Sequence, residues 1–305
     1  MSKAKKQPSS VLKSAGVQVT FPGGFGRAAE KFAETIRHVV DLSFPGRVRK
    51  KIIAEAEGKS AAMVIQAEGR AKVREIEARA ITRVRKLEIR RQENIESIVR
   101  KAVDELPPPE QMSEQPVNED WTSRFFQECQ DIGNEEMQQI WARILAGEVA
   151  RPDSFAPRTL RIVRDLTTSD ANLFASLCNF TWETSGSGIL ISKGVVATLL
   201  NLDAPYILKA ELNFDALAHL STIGLIEFRP EGGLYLKELG HEFSLSYCGK
   251  SHKLKPKDAK VVLRIGHVLL TMAGKELAGI SIRQRNDQFE KDTLDEWKRT
   301  GWNEI

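Results

Sequence analysis

From about Arg47 to Leu106 the chain repeats itself every eleven residues, and nothing else in the sequence constrains the fold as strongly. Ala56-Glu57-Gly58-Lys59 returns as Ala67-Glu68-Gly69-Arg70 and, more loosely, as Ala78-Arg79-Ala80. Three columns keep this spacing: Ala62, Val73, Val84 and Ile95; Ala54, Ile65, Ile76, Leu87 and Ile98; Gly58, Gly69, Ala80, Arg91 and Ala102. Eleven residues in three turns is about 3.67 per turn, so such a stripe hardly drifts around an α-helix. The repeat predicts a long hendecad helix over 47–106 that self-associates as a coiled coil. The expected oligomer seam is Val73, Ile76, Ala80, Val84, Leu87, Arg91, Ile95, Ile98 and Ala102. The Ala/Gly-rich first half should pack weakly, and Val73 to Val103 should form the ordered part. Arg91 then stands either as a register-setting polar position or as a contact with an acidic partner. A solvated single helix held by pairs such as Glu75–Arg79 and Glu96–Arg100 would need no branched column. Basic side chains outnumber acidic ones over the whole rod but are spread around its axis, which argues poorly for a phosphate track.

The regions around the rod divide by composition. Residues 1–20 are polar and read as a disordered tail. After the turn signal Phe21-Pro22-Gly23-Gly24, an amphipathic helix is expected within 21–46. Phe25, Phe32, Ile36, Val39 and Val40 (with Ala28) lie on its apolar face, and Arg27, Lys31 and Arg37 flank them. That face suits a partner helix or peripheral contact with a membrane surface. Pro107-Pro108-Pro109 stops the rod, and 107–118 reads as a Pro-rich linker.

From 119 to 305 the pattern is that of a packed domain. One helix opens with Trp121, Phe125 and Phe126. A second carries Met137, Ile140, Trp141, Ile144 and Leu145 and should end at Gly147. Shorter helices follow at Thr159–Val163 and after a cap at Thr168 or Ser169. Ser185-Gly186-Ser187-Gly188 reads as a plain turn before a strand at Ile189–Ile191. From Asn213 the order is helix, strand (Leu225–Phe228), turn (Pro230–Gly233), strand (Leu234–Leu236), then a helix starting near Leu239–Phe243. A similar phrase runs through Val261–Ile265, Gly266-His267, Val268–Leu270 and a helix from Met272 capped by Thr271. Both resemble the end of a winged helix-turn-helix. The helix Phe214–Ile223 holds Asp215 and His219 but no Lys or Arg, so it suits packing or protein contact better than base readout. Phe289 to Trp302 should form a last docked helix.

The composition permits an ordinary core, with 41% hydrophobic residues and a net charge of +4 over 305 residues. That charge tolerates an anionic partner without demanding one. Cys129, Cys178 and Cys248 show no ligand spacing and read as reduced thiols, and no transmembrane run or signal-peptide core is present. A cytoplasmic protein is therefore expected. His38, His219, His241, His252 and His267 belong to no metal motif, and no nucleophile elbow or phosphate loop occurs. The expectation is no metal, no cofactor and no enzyme; an enzyme with a site assembled from distant residues is the third alternative.

Two phrases carry a resemblance. Trp121…Phe125-Phe126…Asn134-Glu135-Glu136-Met137-Gln138…Trp141-Ala142…Ile144-Leu145-Ala146-Gly147-Glu148, together with Arg91-Gln92-Glu93-Asn94-Ile95-Glu96-Ser97-Ile98, resembles a bacterial family known only as a domain of unknown function. Leu160-Arg161-Ile162-Val163-Arg164-Asp165-Leu166, Leu217…Leu220…Gly224-Leu225-Ile226 and Leu239-Gly240-His241-Glu242-Phe243 are similar to the abortive-infection alpha proteins. That second likeness implies antiphage defense and supplies no catalytic residues. The expected fold class is mainly α: a long N-terminal hendecad helix and a C-terminal helical domain with winged-helix-like units. The expected function is that of a homo-oligomerising interaction protein with an unidentified protein partner. The alternatives are a nucleic-acid-associated regulator and a membrane-surface effector.

Overall fold

A computed structural model of the chain describes residues 10–14, 17–21, 27, 30–32, 34–35, 65–184, 194–197, 199–236 and 242–305. These comprise helices together with small antiparallel sheets, in two compact units, Met1–Pro157 and Arg158–Ile305. Residues 47–64 of the expected rod, most of the expected amphipathic helix, the Ser185–Ile191 turn and strand, and Leu239 to His241 lie outside the described residues.

The first unit begins with a hairpin where a disordered tail is expected. Strands β1 (Ser10–Ser14) and β2 (Val17–Phe21) pair antiparallel, with Ser10 opposite Phe21 and Ser14 opposite Val17. Val17, Val19 and Phe21 alternate with polar neighbours, the period of a strand with one apolar face. Helix α1 (Ile65–Asp104) has 40 residues and is about 60 Å long at 1.5 Å per residue. It ends before Pro107, whose ring cannot continue a helix. The stretch 107–118 is held against its unit rather than free: it makes a 3-10 turn at Pro109–Gln111, Ser113 N donates to Ala150 O, and Val117 is buried.

Helices α2 (Glu119–Cys129) and α3 (Glu135–Ala150) each begin two residues ahead of Trp121 and Met137, the first apolar positions that mark them in the sequence. Asn118 and Asn134 cap them by accepting from Trp121 N and Met137 N. Helix α3 does not stop at Gly147. It runs on to Ala150 because Val149 and Ala150 are core residues, and burial outweighs the weak helix propensity of one glycine. Trp121 stacks on Phe125 with centroids 5.2 Å apart, and Trp141 meets Phe125 edge-on at 5.3 Å.

The second unit opens with α4 (Pro157–Asp165) and α5 (Thr168–Cys178). The cap of α5 is Thr167, one residue earlier than expected, in a capping box with Asp170. A five-stranded antiparallel sheet runs in the order β11-β8-β7-β3-β4: β3 (Thr181–Thr184), β4 (Gly194–Ala197), β7 (Phe243–Tyr247), β8 (Lys250–Pro256) and β11 (Trp302–Glu304). Phe243 thus starts a strand, not a helix. Trp302 sits on β11, beyond the last helix α9 (Asp287–Arg299). Between these strands lie α6 (Pro205–Lys209), α7 (Phe214–Thr222) and α8 (Met272–Ala278).

The strands expected to form two wings pair crosswise instead. β5 (Ile226–Phe228) pairs with β10 (Val268–Leu270), and β6 (Leu234–Leu236) with β9 (Leu263–Gly266), all antiparallel. The two similar phrases therefore interlock into one module. Gly266 makes this possible: at φ 119° it turns β9 straight into β10, and a side chain there would collide with the Leu199 carbonyl. Arg229 N donates to His267 O at 2.8 Å, joining the two phrases again.

The N-terminus of α8 is fixed to the end of α7 by Thr271, whose Oγ1 donates to Gly224 O and Leu225 O at 2.7 and 3.0 Å. Gly274 permits this approach, because a Cβ there would run into the Leu225 carbonyl oxygen. Gly274→Ala should therefore destabilise the second unit by about 1–3 kcal/mol, although alanine is the better helix former. Its denaturant midpoint measures this, and a midpoint at or above wild type would show that the carbonyl has room to move.

Candidate interaction surfaces

The apolar stripe of α1 changes role along the helix. Ile95, Ile98 and Ala102 are buried within the first unit, with Val99 and Val103 beside them. These positions of the expected seam are core of their own unit. Val73, Ile76 and Val84 are 52%, 57% and 52% exposed, and Ala80 and Leu87 are partly exposed. Arg91 marks the change. Its guanidinium donates to both carboxylate oxygens of Asp131, at 2.8 and 3.0 Å, and to Glu88 at 3.0 Å. The acidic partner of Arg91 is thus a residue of the same chain.

A buried polar network lies just beyond. Asn94 Nδ2 donates to Gln130 O, Gln138 Nε2 donates to Ile132 O, and both Ser97 Oγ and Lys101 Nζ donate to Gln138 Oε1. Asn94 and Gln138 are 7% and 4% exposed, so these bonds satisfy groups that water cannot reach. The network and Arg91 together fasten the loop 130–133 between α2 and α3 onto α1. Sequence periodicity gave no sign of it, since polar residues on an apolar face read only as interruptions.

The Arg91 hydrogen bonds hold the Asp131 carboxyl below the usual carboxylate range, so the pair contributes above the unfolded pKa and is lost as pH falls through the folded one. Asp131 is half exposed, which limits the pair to roughly 1 kcal/mol. In Arg91→Met the Asp131 titration, followed by carboxyl NMR, should move up toward the ordinary aspartate value; an unmoved titration would mean that Arg91 does not set it.

Glu148 is 1% exposed and accepts from Asp153 N at 2.8 Å and Phe155 N at 3.0 Å, which shapes the loop after α3. Burial holds its carboxyl above the usual range, against the pull of those N–H groups. Lys31 Nζ donates to Ser113 O and Val149 O at 2.7 and 3.0 Å. Phe32, part of the expected membrane or partner face, is 1% exposed and therefore already covered. Phe25, Ile36, Val39 and Val40 lie outside the described residues.

In the second unit the most concentrated charge is a cluster around Glu290, itself 4% exposed. Lys250 Nζ donates to it at 2.9 Å, Arg285 pairs with it, and His252 Nε2 lies 3.0 Å away but out of line for a hydrogen bond. His252 Nδ1 lies 2.6 Å from Glu304 Oε1, and its ring meets Trp182 edge-on at 5.2 Å. Lys250, Arg285, Glu290 and Glu304 also line a groove of about 590 Å³. The His252 side chain is fully buried, so no substrate in that groove can reach its ring. The cluster joins β8, β11 and α9 and does no chemistry that its geometry reveals.

His219 contacts Asp170 at 2.6 Å, tying α7 to α5, and His267 faces Arg229 O at 3.0 Å; His38 and His241 lie outside the described residues. Burial pushes the Cys178 thiol up to about 12 and also raises Cys129, which leaves both poor nucleophiles at neutral pH. Among the described residues no group of three or more His, Cys, Asp or Glu could hold a metal, and no helix is long and apolar enough to cross a membrane.

A family model described as a protein of unknown function (DUF2806) matches residues 78–294, which takes in the Arg91 clamp, the Asn94–Gln138 network, Glu148 and the Glu290 cluster except Glu304. The chain belongs to this family. Its match begins within the exposed half of α1 and reaches into α9, so the DUF2806 region spans parts of both compact units. No curated protein and no solved structure matches the chain.

Proposed function

We propose that this protein is a non-enzymatic interaction protein that self-associates through the exposed part of α1 and binds a protein partner through its second unit. One observation supports this above others. The stripe Val73, Ile76, Ala80, Val84 and Leu87 continues the face that is core from Ile95 onward, yet beyond Arg91 it stands exposed. Branched residues at more than half exposure on a straight eleven-residue repeat are what a second helix would cover. The crosswise module of α7, α8 and β5, β6, β9 and β10 keeps the helix–strand order of a winged helix. His219 is engaged by Asp170 and no Lys or Arg lies on α7, which favours a packing or protein-contact role.

The similarity of Leu160–Leu166 and Leu217–Ile226 to the abortive-infection alpha proteins supports a role for the assembly in antiphage defense. Bacteria expressing the chain should resist phage infection, and the stripe variant Ile76→Ser/Val84→Ser should lose that resistance while folding normally. Full protection by that variant would separate the stripe from the function.

A further inference from the structure

Residues 70–90 hold eight cations (Arg70, Lys72, Arg74, Arg79, Arg83, Arg85, Lys86, Arg90) against three acids (Glu75, Glu77, Glu88). This net +5 exceeds the +4 of the whole chain, so the positive balance of the protein resides in this stretch of α1. Three of these cations, Arg70, Arg74 and Arg85, lie on the opposite side of the helix, but the other five share one face. At about 100° per residue, Lys72, Arg79, Arg83, Lys86 and Arg90 fall within a sector of about 60° and span about 27 Å. Lys72–Arg83 and Arg79–Arg90 are each eleven residues apart, so the row stays as straight as the apolar stripe beside it.

All five side chains are exposed. Arg79 reaches Glu75 only at 4.0 Å and Arg90 reaches Asp131 at 3.7 Å, while Lys72, Arg83 and Lys86 have no ion pair among the described residues. Ser97 and Lys101 continue the same line, and there both bond to Gln138 of α3. A flat bilayer laid along the row would meet α3 at that point, whereas a narrow polyanion can turn away from it.

We infer that this row docks along the phosphate backbone of nucleic acid. Contacts to phosphate carry no sequence information, so binding along the backbone is independent of sequence. The inference rests on charge and exposure alone and does not require self-association.

The test is fluorescence anisotropy of the full chain with a labelled random-sequence DNA duplex of about 20 base pairs, longer than the roughly 8 base pairs that 27 Å covers. Five phosphate contacts give a log–log salt slope near −4.5, a loss of about 10²–10³-fold in affinity between about 50 and 200 mM salt. The variant K72Q/R83Q/K86Q should flatten the slope by about 3. K255Q/K257Q/K260Q removes the same charge from exposed lysines of the second unit and should leave the slope unchanged. Equal effects of the two triple variants, or wild-type protein that ignores the duplex but binds phosphatidylserine vesicles, would overturn the assignment.

Discussion

Ile98→Ala should lower the stability of the first unit by about 2–5 kcal/mol, the cost of removing a fully buried branched side chain from a packed core. Ile98 has no exposed surface, and its neighbours Val99 and Ala102 have none either. Val84→Ala, on the same face of the helix, should stay within about 0.5 kcal/mol in dilute protein, because Val84 is 52% exposed. The two variants separate parts of one stripe that look equivalent in sequence. The Ile98 loss should be independent of protein concentration, since its partners are in the same chain; a loss that grew on dilution would instead assign Ile98 to a contact between chains. Denaturant unfolding at low and high concentration measures both.

Glu290→Ala should cost the second unit about 3 kcal/mol. Breaking a buried charged cluster costs about 3–5 kcal/mol, because the partners left behind have lost water as well as the carboxylate. Here the lower figure applies, since Lys250 is 54% and Arg285 39% exposed and both can turn to solvent. The fully buried His252 cannot and would keep only Glu304. Glu290→Gln retains an acceptor and the packing and should lose less. Equal losses in the two variants would show that the volume of the side chain matters and its charge does not.

How much of this was legible in the sequence varies with the kind of signal. Asn213 and Thr271 were readable as caps because a side chain that accepts from a backbone N–H three residues on is a local event. The pairing of β5 with β10 and β6 with β9 was not, because strands of only three or four residues fit a hairpin with a sequence neighbour as well as a ladder with a distant strand. β8, Lys-Ser-His-Lys-Leu-Lys-Pro, was missed because only His252 and Leu254 are buried and one of those two is a histidine. In the rod, the eleven-residue period identified a face but could not say what covers it. Ile98 and Val84 lie on the same face, and only the packing of the first unit tells them apart. Arg91 was legible as an interruption with an acidic partner among its alternatives; that the partner is Asp131, forty residues on, depends on the turn between α2 and α3.

The division of the α1 stripe into a core half and an exposed, associating half is tested most directly by sedimentation velocity of the full chain and of Ile76→Ser/Val84→Ser over a wide concentration range. Wild type should sediment as a concentration-dependent species larger than the 34.1 kDa chain, and the variant as that single chain with its fold intact. A wild-type protein that stays at 34.1 kDa at the highest concentration, or a variant that assembles as wild type does, would contradict it.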